Sequence, residues 1–438
     1  MIRHNYTIIG IAVLLLSSGI ASGFERFPPP DFESGYVQPS PTTPNPRQDT
    51  YEYIDTVVLL TALSLASYLV LKTRRRRFIF VLSLLSLFYF GFWRKGCVCP
   101  IGAIQNVALS IFDKDYAIPI AVMLFFLLPL LFTLFFGRTF CAAVCPLGAI
   151  QDVVHLSHTP VPEWLENGLR LFAYLYLAAA VLFAATGSAF IICRYDPFVS
   201  IFRMSGNLNM LILGGCFLFV GLFIGRPYCR FACPYGVILR QLSRISKWRV
   251  TITPDDCIKC RLCEDSCPFG AIREPTAEAP THDYIKSRKW LAFLILLLPL
   301  LVLALGWIGF TLRPVTSRMH ATVRLADRIY LEDTGQVKDT TDASSAFRAT
   351  GRQTKQLYDE ALDIQAGFGR GGWFFGGFVG LVIALKLIGL SLRRQRIDYE
   401  AERAGCLACG RCFEYCPKEH VKRKLTKETI VKADENSD

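Results

Sequence analysis

Charge is scarce in this 438-residue chain: Asp, Glu, Lys and Arg supply 19% of it, against 52% hydrophobic residues. With a mean hydropathy of +0.35, there is too little polar surface to cover several soluble domains, so a polytopic membrane protein is the default. No G-x-G-x-x-G opens a helix after a strand, and no P-loop occurs, so a nucleotide has no fingerprint to bind. No nucleophile, base and carboxylate stand in an arrangement suited to hydrolysis, and no catalytic residue is assigned. The net charge of +12 comes from basic residues that crowd the ends of apolar runs, as at 72–77 and 393–396. They do not alternate with aromatics, which argues against a nucleic-acid groove and for membrane topology. Acids inside the apolar runs are nearly absent, which argues against an ion-pumping path.

What the chain does have is long apolar runs. A bilayer core of about 30 Å takes roughly 20 apolar residues in a helix, and such runs lie near 7–23, 54–72, 78–93, 117–136, 170–192, 208–225, 290–311 and 373–392. The first follows Arg3 and His4 and ends Ala21-Ser22-Gly23, so residues 1–23 read as a signal peptide or an N-terminal anchor. Residues 24–53, with Pro28-Pro29-Pro30 and a Pro/Thr-rich stretch over 39–46, read as an exported Pro-rich tether. Placing the arginine run 74–77 in the cytoplasm sets the alternation of the rest. Segments 137–169, 226–289 and 393–438 then fall in the cytoplasm, and 94–116, 193–207 and 312–372 in the periplasm. The third run is only 16 residues long, which leaves a re-entrant path for 78–116 open. Residues 312–372 read as a helical cap or a docking surface, with amphipathic helices around 323–330 and 356–366.

Sixteen cysteines in so long a chain, many at C-x-x-C spacing, read as metal ligands rather than as a disulfide framework. Cys257-Ile-Lys-Cys260-Arg-Leu-Cys263-Glu-Asp-Ser-Cys267-Pro268 and Cys406-Leu-Ala-Cys409-Gly-Arg-Cys412-Phe-Glu-Tyr-Cys416-Pro417 both spell C-x2-C-x2-C-x3-C-P, the run that wraps thiolates around a 4Fe-4S cluster. In two-cluster ferredoxins the fourth cysteine of each run serves the other cluster. The expected sets are Cys257, Cys260, Cys263 and Cys416 for one 4Fe-4S cluster, and Cys406, Cys409, Cys412 and Cys267 for the other. Paired zinc sites are the competing reading, but they usually show two separated C-x-x-C pairs instead of one run closed by proline. About 140 residues and two apolar runs separate the motifs, so those runs must return to the same side. The expected fold is therefore an all-α polytopic membrane bundle of about seven to eight transmembrane helices with a split cytoplasmic two-cluster ferredoxin-like domain. Its transmembrane core spans 54–250 and its first ferredoxin motif 251–280. Transmembrane helices at 288–311 and 373–392 flank the periplasmic segment 312–372, and 393–438 holds the second motif and a tail.

Three further motifs form an internal repeat: Cys97-Val-Cys99-Pro100-Ile-Gly-Ala-Ile-Gln105, Cys141-Ala-Ala-Val-Cys145-Pro146-Leu-Gly-Ala-Ile-Gln151 and Cys229-Arg-Phe-Ala-Cys233-Pro234-Tyr-Gly-Val-Ile-Leu239. Each carries a cation upstream (Arg94 and Lys95, Arg138, Arg226) that would stabilise thiolates or a reduced cluster, and each proline can start a short helix. The assumed topology puts Cys141, Cys145, Cys229 and Cys233 at the inner edge, enough for one more iron-sulfur centre. Cys97, Cys99 and Cys193 fall at the outer edge, with Asp196 as a candidate fourth ligand. Packing thiols or metal-free redox pairs are the other reading, and Cys216, alone inside a span, is assigned to packing.

In these residues the chain resembles the NosR/NapH-type membrane ferredoxins, over 54 to about 420. The matching positions are the C-x3-C-P pairs Cys141/Cys145 and Cys229/Cys233 and the eight ferredoxin cysteines. The resemblance implies electron transfer between a cytoplasmic or quinone-pool donor and a periplasmic reductase or flavoprotein, at a bacterial inner membrane. The chain departs from the pattern in two ways. Its thirty or so residues ahead of the core are too few for an exported flavin domain, so flavin is not expected within the chain, and its first motif is C-x-C-P. Two other functions stay open: a quinol dehydrogenase, with His155 and His158 as candidate proton carriers, and a redox maturation factor or sensor for a metalloenzyme.

Overall fold

The computed structural model describes residues 48–96, 99–157, 159–204, 207–252, 257–276, 284–392 and 396–421. The expected signal or anchor at 1–23 and the tether up to residue 47 lie outside the described residues, as do Cys97, His158 and the C-terminal tail from 422.

The described residues are mostly helical. Helix α1 (Asp49–Tyr68) runs on through a π-turn at Leu69–Thr73, and α2 (Arg76–Ser86) through another at Leu87–Trp93. Then come α3 (Pro100–Phe112), α4 (Ile120–Phe136), the short α5 (Thr139–Ala143) and α6 (Pro146–Val154), and the long α7 (Glu163–Ala185). Short helices α8 (Ile191–Tyr195) and α9 (Val199–Arg203) lead to α10 (Leu208–Gly221), α11 (Pro227–Phe231) and α12 (Pro234–Leu242). After a one-turn helix α13 (Leu262–Asp265), the chain makes the hairpin of α14 (Tyr284–Thr311) and α18 (Thr354–Ser391). Between these two lie α15 (Arg313–Thr316), α16 (Ala321–Asp333) and α17 (Asp342–Ala349), and α19 (Arg411–Tyr415) closes the order.

Among the described residues, five helices are long and apolar enough to cross a membrane: Thr50–Thr73, Arg76–Trp93, Glu163–Ala185, Arg288–Thr311 and Thr354–Ser391. Leu296, Leu300, Leu303 and Trp307 on α14 are more than half exposed, a stripe suited to lipid and not to water. The apolar runs at 117–136 and 208–225 become shorter helices, Ile120–Phe136 and Leu208–Gly221. The run at 170–192 shifts: its helix begins at Glu163 and ends at Ala185, because Pro162 presets the first turn and Gly187, at φ +64, turns the chain away. Helix α18 is continuous through residues 372 and 373, so no break separates the last span from the segment before it.

That hairpin is held by backbone-to-backbone contact. Gly372, Gly376 and Gly380 recur every four residues along one face of α18. A Cβ at Gly372 would overlap the Gly309 carbonyl, one at Gly376 the Leu305 carbonyl, and one at Gly380 would stand 2.6 Å from the Leu301 carbonyl. Small residues at this spacing are what let membrane helices approach this closely. Between the two helices, Val323, Ala326 and Ile329 of α16 and Phe347 of α17 form a separate small core with Leu357 and Ala361 of α18. A capping box at Thr341 and Ser344 starts α17.

The return of the hairpin brings together the two ends of the ferredoxin region. Strand β1 (Ile272–Arg273) pairs antiparallel with β2 (Glu400–Ala401), Ile272 opposite Ala401. Replacing Gly376 with Leu should force α14 and α18 apart at a destabilisation of about 1–3 kcal/mol or more. Gly389→Leu, where a side chain meets nothing within 4 Å, should be silent. Thermal unfolding midpoints of the two variants in detergent check this, and equal midpoints would show that the close approach is not needed.

Candidate functional site

The two ferredoxin motifs close on each other. One small hollow is lined by Cys257, Cys260, Cys263 and Cys416, and a second by Cys267, Cys406, Cys409 and Cys412. Each takes three thiols from one motif and one from the other. The loops share their backbone geometry: Lys259 (φ +53) and Arg261 (φ +65) in the first motif match Ala408 (φ +55) and Gly410 (φ +76) in the second. Three of those four positions carry a side chain at positive φ, a strain held only where the surroundings over-determine it. Backbone N–H groups turn onto sulfur, Ala271 to Cys267 and Ala408 to Cys406, both at 3.4 Å. Among the described residues no three His, Cys, Asp or Glu side chains converge tightly enough to hold a single metal ion; the thiols stand around their hollows. Burial pushes the Cys406 thiol up to about 12 and Cys263 up to about 11, so these groups stay protonated until a cation replaces the proton.

Arginines from the 74–77 run seat this unit on the membrane core. Arg74 pairs with the buried Glu419 at 2.9 Å and lies 4.2 Å over the Phe413 ring, while Arg76 donates to the Cys409 carbonyl at 3.3 Å. The same residues that signal topology in the sequence are docking contacts in the fold.

Beneath this unit, Cys141, Cys145, Cys229 and Cys233 come within electrostatic reach of one another. Cys145 and Cys233 each precede a proline that is the first residue of its helix, α6 or α12, and Cys99 does the same for α3. Donors already serve the sulfurs: Gln151 Nε2 to Cys229 at 3.4 Å, the Gly236 amide to Cys233 at 3.3 Å, and Arg138 Nη2 to Cys141 at 3.7 Å. Arg138 also donates to the Ala404 carbonyl, two residues from Cys406, at 3.4 Å, and so spans the gap to the ferredoxin loops. Behind them Arg226, 1% exposed, forms a two-pronged pair with Asp152 at 3.0 and 2.7 Å, donates to the Cys141 and Ala142 carbonyls and faces the Phe269 ring.

Cys99, Cys193 and Asp196 also gather. Their arrangement repeats that of the inner thiols. Gln105, six residues after Cys99, accepts hydrogen bonds from the Ile192 and Cys193 amides at 2.9 and 3.3 Å. Gln151, six residues after Cys145, accepts one from the Tyr228 amide, next to Cys229, at 3.0 Å. Asp196 precedes Pro197 as Cys233 precedes Pro234; it is 4% exposed, and its Oδ1 accepts from the Phe198 amide at 2.9 Å. A small hollow lined by Cys99, Cys145 and Asp196 joins residues of the inner and outer groups. A larger cavity, about 610 Å³, is lined by Cys99, Cys193 and Asp196 together with Trp93, Arg94 and Phe125. His155 turns its Nδ1–H to the Gly221 carbonyl at 3.1 Å, and Cys216 sits half-buried on α10.

Sequence reasoning missed Asp152, Arg170, Arg230 and Arg240, the last three gathered beside Cys229 and Cys233; Gln105 and Gln151 close the repeat in the sequence but had no role assigned to them. The sixfold offset from Cys-Pro to Gln, present in two of the three repeats, was the available signal for the glutamines. The arginines lie on separate helices and carry no local pattern.

Comparison with known proteins agrees with this chemistry. A 4Fe-4S binding-domain model matches residues 118–162 and 207–253, which contain Cys141, Cys145, Cys229 and Cys233, and another matches 250–273. The chain is similar to the putative electron transport protein YccM of Escherichia coli strain K12, 28% identical over 118 residues, 25% of this chain and 33% of that protein. It is similar to the protein NirI of Paracoccus denitrificans, 31% identical over 118 residues, 26% of this chain and 17% of that one. An uncharacterized protein of Methanocaldococcus jannaschii is 29% identical over 109 residues, 25% of this chain and 39% of that protein. The chain thus spans well under half the length of these relatives. No solved structure matches the chain. These matches fit a NosR/NapH-like family of membrane 4Fe-4S proteins and support an iron-sulfur electron-transfer role.

The Arg226–Asp152 pair should be the most sensitive polar contact of the inner group. Asp152→Ala leaves a buried guanidinium short of its counter-charge and should cost on the order of 3–5 kcal/mol, whereas Asp152→Ala combined with Arg226→Leu should recover much of it. Chemical unfolding of the three proteins measures the difference; an unchanged Asp152→Ala variant would show the pair to be dispensable.

Proposed function

We propose that the chain passes single electrons along a line of iron-sulfur centres, from one face of a bacterial inner membrane towards the other. Cys257, Cys260, Cys263 and Cys416 hold one 4Fe-4S cluster, and Cys406, Cys409, Cys412 and Cys267 hold its neighbour, both on the cytoplasmic side. Cys141, Cys145, Cys229 and Cys233 hold an inner-edge centre, and Cys97, Cys99 and Cys193 belong to an outer-edge site. The observation that carries this reading is the pair of hollows, each lined by three cysteines of one motif and the fourth of the other. The clusters supply the one-electron chemistry. The chain's own residues set their spacing, exclude water and place cations such as Arg138 beside the thiols.

A line of sites is what the distance requires, since a bilayer core of about 30 Å is too thick for one efficient jump. The five long helices, with Ile120–Phe136 and Leu208–Gly221, would make seven spans, and the apolar run at 7–23 an eighth. The donor is a cytoplasmic protein or the quinone pool, and the acceptor a periplasmic reductase or flavoprotein. A second reading, that the chain itself oxidises a quinol, is favoured by the large cavity that reaches Cys99 and Cys193.

Anaerobically purified protein should contain iron and sulfide for more than two 4Fe-4S clusters, with additional paramagnetic centres during stepwise reduction. Cys260→Ser should alter only the ferredoxin signals, and Cys141→Ser should remove a different one. If Cys141→Ser leaves every signal unchanged, the inner-edge centre does not exist; if the preparation is iron-free, the whole reading fails. Addition of a quinol analogue should bleach the cluster absorbance if the chain takes electrons from quinol directly, and should leave it unchanged if a separate protein donates.

A further inference from the structure

The arginines around Cys229 and Cys233 bring more donors than the protein satisfies. A small hollow is lined by Arg138, Arg170, Arg230 and Arg240 together with the two cysteines. Each arginine has a buried N–H without a partner: Nε of Arg138, Arg170 and Arg240, and Nη1 of Arg230. Arg138 is 6% exposed and Arg170 8%. Among the described residues, the carboxylate paired with this group is Glu166, whose Oε1 serves both Arg170 and Arg230. Cys229 and Cys233 have their own donors in Gln151 and the Gly236 amide, so the free N–H groups are surplus to those sulfur bonds. Four guanidinium groups face Glu166 and, at longer range, Glu402, which Arg273 already engages; this leaves an excess of buried positive charge, which is costly unless an anion enters.

We propose that this hollow is an anion site for a phosphate group, carried by an anionic phospholipid or present as free phosphate. Planar guanidinium forks match phosphate oxygens in pairs. The depth suits a headgroup: Arg170 lies seven residues into the membrane-spanning α7, about 10 Å along it. Basic pockets between membrane helices are where anionic headgroups are held. The site adjoins the proposed inner-edge centre and shares Arg138, Cys229 and Cys233 with it, but it does not require that centre, because its arginines and their unpartnered N–H groups are present whether or not the thiols bind a cluster. If they do, the phosphate places negative charge beside that centre and disfavours its reduction.

The test uses full-length protein purified in phosphate-free buffer and washed with detergent and phosphatidylcholine. Extraction should recover about one anionic phospholipid per chain. In the Arg170→Gln/Arg240→Gln variant retention should fall about tenfold or more, as expected for lost charged hydrogen bonds. Unchanged ferredoxin EPR signals would report that the variant is folded; should the double variant fail to fold, Arg240→Gln alone carries the comparison, with Arg240→Lys retaining part of the binding. If no lipid is retained but inorganic phosphate binds saturably and the variants weaken it, the site is for free phosphate. If neither binds, or the variants bind as well as the parent, the proposal is overturned. A changed midpoint potential in the variants without any phosphate binding overturns it as well, and assigns the arginines to the charge of the neighbouring centre.

Discussion

Where α14 and α18 cross, main chain meets main chain, because Gly372, Gly376 and Gly380 present no side chain to Gly309, Leu305 and Leu301. In lipid there is no hydrophobic gain from bringing two apolar helices together, so van der Waals contact at such small-residue seams must supply it. The hairpin returns the chain to the end from which it left. That return allows β1 to pair with β2 and lets two cysteine runs far apart in sequence line the same two hollows.

With so few charges in the chain, the positions of those that are buried carry information. Arg226 is spent on Asp152 and on two carbonyls beside Cys141; Arg138 spans Cys141 and the loop before Cys406; Arg74 fixes the end of the second motif through Glu419. These cations tie the ferredoxin unit to the membrane core at the points where thiols approach one another. Buried positive charge next to thiolates favours their ionised form and any added electron. The same low-dielectric surroundings make each incompletely paired arginine expensive, and Arg138, Arg170, Arg230 and Arg240 beside Cys229 and Cys233 each keep one such N–H.

Much of this was legible in the sequence. The membrane character follows from composition, and the proline after each membrane-edge cysteine marks the start of α3, α6 and α12. Other features were not legible. The apolar run at 170–192 misplaces its helix by several residues because hydropathy ignores Pro162 and the turn at Gly187. The pairing of Gln105 with the amide of Cys193, and of Gln151 with the neighbour of Cys229, joins segments more than 70 residues apart, beyond the reach of any local pattern.

By itself, the sequence determined the chemistry and the solvent: thiolate runs spaced for iron-sulfur clusters, and apolar lengths that only lipid accommodates. Those properties are local, set by residue type and spacing within a dozen or two residues. The crossed sharing of thiols between the two motifs was likewise expected from their spacing; only the tertiary structure decided that Asp196 stands where a cysteine stands in the neighbouring copy, and that four arginines from different helices converge on one space. These depend on how closely helices approach and in what register, which is set by packing over the whole chain and leaves no trace in any single stretch of it.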